Sequence, residues 1–128
     1  MNTPSEYIPG VCNIGREEIK RRKNSAIVSG LLSAALLVLL LTLHSSKLWR
    51  LTFFLPISYF GISVQQWYYH FCANFGLRGV FNFGDIGKTF TVDQQENFKK
   101  DRMKAQKMLV TSILFGLIIT IAFYFLPF

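Results

Sequence analysis

The side chains with the clearest chemical potential in this sequence are two cysteines and one histidine. Cys12 lies near the N-terminus, and His70 and Cys72 lie two positions apart. Thiolate and imidazole groups bind soft metals, so these three residues are candidates for a metal or redox site. The spacing is not specific, because the sequence contains no CxxC pair. The alternative is that both cysteines are small buried hydrophobic residues and that His70 is a polar residue at a membrane interface.

Motifs of the common enzyme classes are absent from the sequence. There is no GxSxG, no phosphate-binding loop that ends in GK[ST], and no HExxH. Each of these motifs places a nucleophile, a phosphate cradle or a metal at a defined point of a fold. We therefore predict that the protein is not an enzyme and that it carries no cofactor.

The distribution of charge predicts a membrane protein. Of the 128 residues, 51% are hydrophobic, and residues 24–43, 51–69 and 108–126 contain no Asp, Glu, Lys or Arg. At about 1.5 Å per residue, each window spans roughly the 30 Å hydrocarbon core of a bilayer as a helix. The predicted fold class is an all-α integral membrane protein with three transmembrane helices. For the second window, which contains Pro56, Gln65 and Gln66, a hairpin that enters and leaves on one side is the alternative.

The absence of ionisable residues from these windows also bears on function. Ion-coupled carriers and pumps bind protons or ions through such groups at membrane depth. Three helices are in addition too few to enclose a wide pathway within one subunit. A stand-alone transporter or proton pump is therefore not expected.

The basic residues predict the orientation of the chain. Twelve of the 14 lysines and arginines lie in residues 1–23 and 70–107, and the positive-inside rule assigns those segments to the cytoplasm. The predicted order is a cytoplasmic tail with the start of a basic helix (1–23), a first span (24–43), an external loop (44–50), a second span (51–69), a cytoplasmic loop with a basic helix (70–107), and a third span with an external C-terminus (108–128). The first span is expected to stay in the mature protein, because no cleavage site follows it.

The first and third helices are predicted to extend beyond the membrane as basic helices. Asn13 is a candidate N-cap for the first, and Asp93 with Glu96 has the spacing of a capping box for the third. Lysines and arginines on these extensions favour contact with anionic lipid headgroups. Nucleic acid is not an expected partner, because no binding motif accompanies the charge.

Small residues recur every four positions in the first and third spans. They are Ala26, Gly30 and Ala34 in the first span and Ser112, Gly116 and Thr120 in the third. Such faces let helix backbones approach closely, so we predict that the two helices pack side by side or against a partner. The alternative is chance, because these residue types are common in membrane helices.

The segment HFCANFGLRGVFNFGDIG, residues 70–87, is both aromatic and rich in glycine. Phe71 and Phe75 are predicted to extend the second helix and Gly76 to end it. The loop that follows is expected to anchor on lipid, with Phe90 at the headgroup boundary, or to form a docking surface in which Arg78 pairs with Asp85. The residues predicted for that surface are Phe75, Arg78, Phe81, Phe83 and Asp85.

Two stretches, CNIGREEIKRR and FCANFGLRGVFNFG, resemble the conserved boxes of a family of short, uncharacterised bacterial membrane proteins. The resemblance implies a location in the bacterial inner membrane and implies no activity. The function predicted from the sequence is a small accessory or scaffolding subunit of a larger membrane complex. The alternatives are a redox or metal-handling protein and a lipid-binding protein that organises the membrane. The expected partners are anionic lipids and other membrane subunits or further copies of this chain.

Overall fold

The computed structural model describes residues 7–44, 46–86 and 88–127. Its elements in chain order are α1 (Arg16–Thr42), α2 (Lys47–Arg50), a 3₁₀ turn (Leu51–Phe53), α3 (Phe54–Tyr69), α4 (Ala73–Arg78), β1 (Val80–Phe81), β2 (Phe90–Thr91) and α5 (Gln95–Tyr124). The strands form one antiparallel hairpin, in which Val80 pairs with Thr91 and Phe81 with Phe90. The protein is therefore mostly helical, as predicted.

Two of the helices, α1 and α5, are long and apolar enough to cross a membrane. Each joins a basic segment to an apolar one without a break, as the sequence predicts. The predicted caps are wrong, however. Gly15 and Gln94 occupy the two N-cap positions, and neither helix start has a side-chain cap. Asn13 is not a cap because its side chain binds Cys72 in another part of the fold.

The second apolar window, residues 51–69, consists of the 3₁₀ turn and α3. After α2, the 3₁₀ turn leads into α3, which has 16 residues and spans about 24 Å. Pro56 lies in the first turn of α3, where its missing N–H leaves no hydrogen bond unmade. Among the segments that the structure describes, α1 and α5 alone have the length and apolarity of a membrane span. The prediction of a third span is therefore not confirmed.

The three long helices form an up-down-up bundle in which α3 packs against both α1 and α5. At one end, Leu40 of α1 meets Phe53 and Phe123. At the other end, which carries most of the basic residues, Phe71 packs with Met108 and neighbouring residues of α5. The first cluster thus joins α1, the 3₁₀ turn and α5, whereas the second joins α5 to α3 and α4.

The small residues of α1 and α5 contact α3, so the prediction that these faces meet each other is wrong. Gly116 lies against Ser58 of α3, and a Cβ atom at Gly30 would be 3.0 Å from the ring of Phe60. The main helix contacts are α1 with α3 and α3 with α5. The reason is that α3 lies between α1 and α5, so the small residues of each outer helix face α3.

The side chains of Ala26, Ser112 and Thr120 are buried, together with Gly116, but Ala34 is exposed. Ser33 is buried in its place. The face that α3 covers on α1 therefore runs through Ala26, Ser29 and Ser33, about one residue away from the stripe predicted.

The chain after α3 turns sharply, so the predicted extension of the second helix is wrong. His70 adopts a left-handed backbone conformation with φ of 56° and ends α3. Phe75 and Gly76 belong instead to the separate helix α4. Gly76 lies inside α4 and lets it approach α5 closely, since a Cβ atom there would lie 3.0 Å from the carbonyl oxygen of Asp101. α4 ends at Arg78, and its C-cap residue Gly79 has a φ of 71°, which favours glycine.

Candidate functional site

The candidate site is the cap, which we define as residues 7–15, 70–86 and 88–94 at the basic end of the bundle. Backbone hydrogen bonds join the first of these segments to the second at two places. The N–H of Asn13 donates to the carbonyl of His70 (3.2 Å), that of Asn82 to the carbonyl of Asn13 (2.9 Å), and that of Gly15 to the carbonyl of Asn82 (2.8 Å). The approach is so close that a Cβ atom on Gly15 would lie 2.7 Å from the Cα of Phe83. The cap is therefore a packed unit rather than an irregular surface loop.

Two fully buried asparagines hold these segments together. Asn13 accepts from the N–H of Cys72 (2.7 Å) and donates to the carbonyl of the same residue (3.1 Å). Asn82 accepts from the N–H of Gly84 (2.9 Å) and donates to the carbonyl of Asp85 (2.7 Å). A carboxamide carries both a donor and an acceptor, so it can satisfy backbone groups that no strand or helix pairs. Sequence reasoning missed both roles, because the partners of Asn13 are distant in the sequence.

A buried ion pair lies beside the first asparagine network. Glu18 has 1% of its surface exposed and lies 3.4 Å from the guanidinium of Arg22. The same guanidinium nitrogen donates to the Sγ of Cys72 at 3.0 Å, and the guanidinium carbon lies 5.8 Å from the ring centroid of Phe75. The pair connects the first turns of α1 to α4. Removing one partner would leave a buried charge without its counter-charge, which is strongly destabilising.

A second polar cluster connects the N-terminal segment to α5. The buried carboxylate of Asp101 accepts from the Tyr7 hydroxyl and from the N–H of Gly10 (2.7 Å). Burial raises the pKa of Asp101, although the hydrogen bonds from Tyr7 and Gly10 oppose this shift. Burial also raises the pKa of Tyr7 and of Cys12. The cluster therefore consists of groups that the fold holds away from water.

Lys104 completes this second cluster. Its ammonium lies 4.7 Å from the ring centroid of Tyr69 and donates to the carbonyl of Val11 at 3.4 Å. Burial lowers the pKa of Lys104, and the nearby Asp101 opposes this shift. Lys104 is thus a partly buried cation at the edge of the cap.

The proposed metal ligands lie in different environments. The thiol of Cys72 contacts Arg22, whereas Cys12 is close enough to Asp101 and Lys104 for their charges to affect its pKa. His70 ends α3, and burial lowers its pKa. Within residues 7–44, 46–86 and 88–127, no three His, Cys, Asp or Glu side chains converge as metal ligands. The structure therefore does not bring Cys12, His70 and Cys72 together as one site.

The outer surface of the cap carries an aromatic ridge, which we define as Tyr7, Phe81, Phe83 and Phe90. Phe81 is central, with ring centroids 4.7 Å from Tyr7, 5.9 Å from Phe90 and 6.2 Å from Phe83. Phe90 is 59% exposed. Phe81 and Phe83 were predicted to share a surface. The contribution of Tyr7 was not predicted, because Tyr7 lies far from them in the sequence.

Phe75 was assigned to the docking surface and is instead buried. It packs with Ile14, Ile19 and Cys72, because α4 directs it toward α1. Asp85 pairs with Lys88 at 3.6 Å rather than with Arg78, and all three residues are exposed. The surface available to a partner is therefore the ridge with exposed charges nearby, and Phe75 supports it from within.

Comparisons of this chain with protein-family models, with curated proteins and with solved structures give no match. The resemblance to the family of short bacterial membrane proteins stays a prediction that depends on the two sequence boxes. The function of the cap is therefore argued below from its own geometry.

Proposed function

We propose that this protein is a small accessory or scaffolding subunit of the bacterial inner membrane, which binds a protein partner through the aromatic ridge. The observation that carries the proposal is a contiguous group of four aromatic rings, of which Phe90 is exposed and the other three are half-buried, on a base held by buried hydrogen bonds. Phe90, the most exposed ring, lies directly across the hairpin from Phe81. Aromatic anchors of this kind contribute a large share of binding energy at protein interfaces.

The buried network under the ridge supports the same proposal. Asn82, one residue after β1, is fully buried, and both the oxygen and the nitrogen of its side-chain amide make hydrogen bonds. A surface that is ordered before binding loses less conformational freedom when a partner arrives, so more of the contact energy appears as affinity. A loop that served as a simple lipid anchor would not need this support.

The ridge can be tested by purification from native membranes with Phe90→Ser. We expect partner recovery to fall about tenfold, because losing a central aromatic anchor typically costs more than 1 kcal/mol of binding. The matched control is Phe125→Ser, which alters a phenylalanine beyond the end of α5 that is still more exposed, at 70% against 59%. If both variants recover the same proteins as the native chain, or if the native chain recovers none, the ridge is not a protein-binding surface.

The proposal includes three spans, a cytoplasmic N-terminus and an external C-terminus. α2, the 3₁₀ turn and α3 follow one another from Lys47 to Tyr69 with no intervening loop. The adjoining 3₁₀ turn lengthens the apolar part of this helical run beyond α3. The twelve basic residues in residues 1–23 and 70–107 favour the cytoplasm for the cap.

Topology can be measured with a reporter that is active outside the cytoplasm. We expect activity when the reporter is fused after residue 128 and silence when it is fused after residue 87. The reason is the concentration of lysine and arginine on the side of residue 87, over segments short enough for the positive-inside rule to apply. Activity after residue 87 together with silence after residue 128 would show that the second window does not cross the membrane.

A further inference from the structure

A groove of about 590 Å³ opens between α3 and α5 at the basic end of the bundle. Three lysines line it from α5: Lys100, Lys104 and Lys107. Residues three and four apart lie on one helix face, so their ammonium groups point to a common region. Tyr69 and Gln65 line the groove from α3. One end of the groove is therefore strongly cationic.

A second, apolar cleft of about 300 Å³ lies next to it between the same two helices. Its lining includes Phe60, Val64 and Phe115, and Gln65 lines both cavities. The amide of Gln65 is fixed, since it donates to the carbonyl of Met108 (3.1 Å) and to the hydroxyl of Ser112 (2.6 Å). The two cavities thus adjoin at Gln65, and we call the pair the path: lysines line one of its members and apolar side chains line the other.

We propose that this path binds one anionic phospholipid, with its phosphate at the three lysines and an acyl chain in the apolar cleft. The charge of the lysines complements a phosphate, and the apolar cleft complements a hydrocarbon chain. The three lysines also lie at the depth of the lipid headgroups, because they immediately precede the apolar part of α5.

Lys104 is the cation that gains most from such a ligand. It is partly buried against Tyr69, and burial disfavours its charged form. A phosphate beside it would supply a full negative charge, whereas Asp101 already receives hydrogen bonds from Tyr7 and Gly10. Lys100 and Lys107 are exposed, so both can turn toward a headgroup without breaking a structural contact. The site goes beyond the ridge and does not depend on a protein partner.

The experiment is native mass spectrometry of the detergent-solubilised chain with added phosphatidylglycerol, phosphatidylcholine of the same acyl chains, or inorganic phosphate. We expect one tightly bound phosphatidylglycerol per chain and roughly tenfold weaker binding of phosphatidylcholine. The variant Lys100→Gln/Lys107→Gln should lose about tenfold in affinity for phosphatidylglycerol. The control Lys20→Gln/Lys99→Gln removes the same charge from exposed positions outside the groove and should bind normally.

A second variant tests the apolar end without a change of charge. Val64→Trp fills the cleft and should weaken binding of phosphatidylglycerol, provided that its thermal melting shows a folded bundle. If it does not fold, Val64→Phe is the smaller replacement.

Equal losses of affinity for phosphatidylglycerol in Lys100→Gln/Lys107→Gln and in its control would overturn the proposal, because the lipid would then be attracted by positive charge anywhere on the chain. Equal binding of phosphatidylcholine, or competition by inorganic phosphate at the same concentration as the lipid, would overturn it as well.

Discussion

Replacing Gly116 with leucine is expected to separate α3 from α5 and to lower the thermal stability of the bundle sharply. A Cβ atom at this position would overlap the Oγ of Ser58, and it would lie 3.0 Å from the Cβ of Ser58 and 3.3 Å from the ring of Phe54. Forcing extra atoms into a packed contact typically costs about 1–3 kcal/mol of stability. Because leucine is bulky, we expect a loss at or above the upper end of that range. The measurement is thermal unfolding in detergent.

The matched control is Ile118→Leu, which changes a residue that is 65% exposed on the same helix and should melt like the native chain. Gly30→Leu should have an intermediate effect, because the obstacle there is the ring of Phe60 rather than atoms close to the backbone.

A second comparison, of Gly116→Ala with Gly116→Ala/Ser58→Ala, tests the contact with Ser58 directly. Removing the buried Oγ of Ser58, which has no hydrogen-bond partner, should restore part of the stability. Equal melting temperatures for Gly116→Leu and Ile118→Leu would show that α3 and α5 do not pack as described.

Replacing Arg50 with methionine is expected to destabilise the end of the bundle opposite the cap by about 2–4 kcal/mol. Arg50 is 5% exposed, and its Nη1 donates to the carbonyls of Phe123 (3.0 Å), Tyr124 (3.1 Å) and Leu126 (2.8 Å). α5 ends at Tyr124, so its last carbonyls lack helical donors. Methionine would leave the carbonyl of Phe123 buried without this donor and would remove the donor from the two part-buried carbonyls. Thermal unfolding of both chains gives the difference.

The control for Arg50 is Lys47→Met, which removes one positive charge from an exposed residue of the same short helix α2. It should have little effect on the melting temperature. Arg50→Lys should fall between the two, since lysine keeps the charge but cannot place a guanidinium under three carbonyls at once. If Arg50→Met and Lys47→Met melted alike, the capping of α5 by Arg50 would be contradicted.

The long helices could be predicted from the sequence because their cause is local. Each of α1 and α5 combines an uncharged window with a neighbouring basic segment that contains no Gly or Pro, and this pattern predicts nearly the full length of both helices. The end of α3 could not be predicted, because the left-handed conformation of His70 depends on contacts of the residues that follow it. A histidine carries no glycine-like signal for such a turn.

The candidate site was predictable only in part. The aromatic content of residues 70–87 indicated a shaped surface, but which rings face outward depends on packing between distant segments. Phe75 is buried because α4 turns it toward Ile14, whose neighbour Asn13 binds Cys72. The stripe on α1 was misplaced by one residue, from Ala34 to Ser33, because the position of α3 decides which small residues are covered. The buried position of Arg50 could not be predicted, since a carbonyl that its side chain binds lies more than 70 residues later in the chain.

The hydrogen bonds from Tyr7 and Gly10 to Asp101 join residues separated by 94 and 91 positions in the chain. During synthesis from the N-terminus, the first segment of the cap has no carboxylate to bind until most of the protein has left the ribosome. Asp101 then arrives as part of the helix that completes the bundle. Residues 7–10 therefore form a clasp that can close only when α5 has taken its place, whereas residues 13–15 have their partners in residues 70–82 before that. A chain interrupted before α5 would lack the acceptor that holds Tyr7 and Gly10.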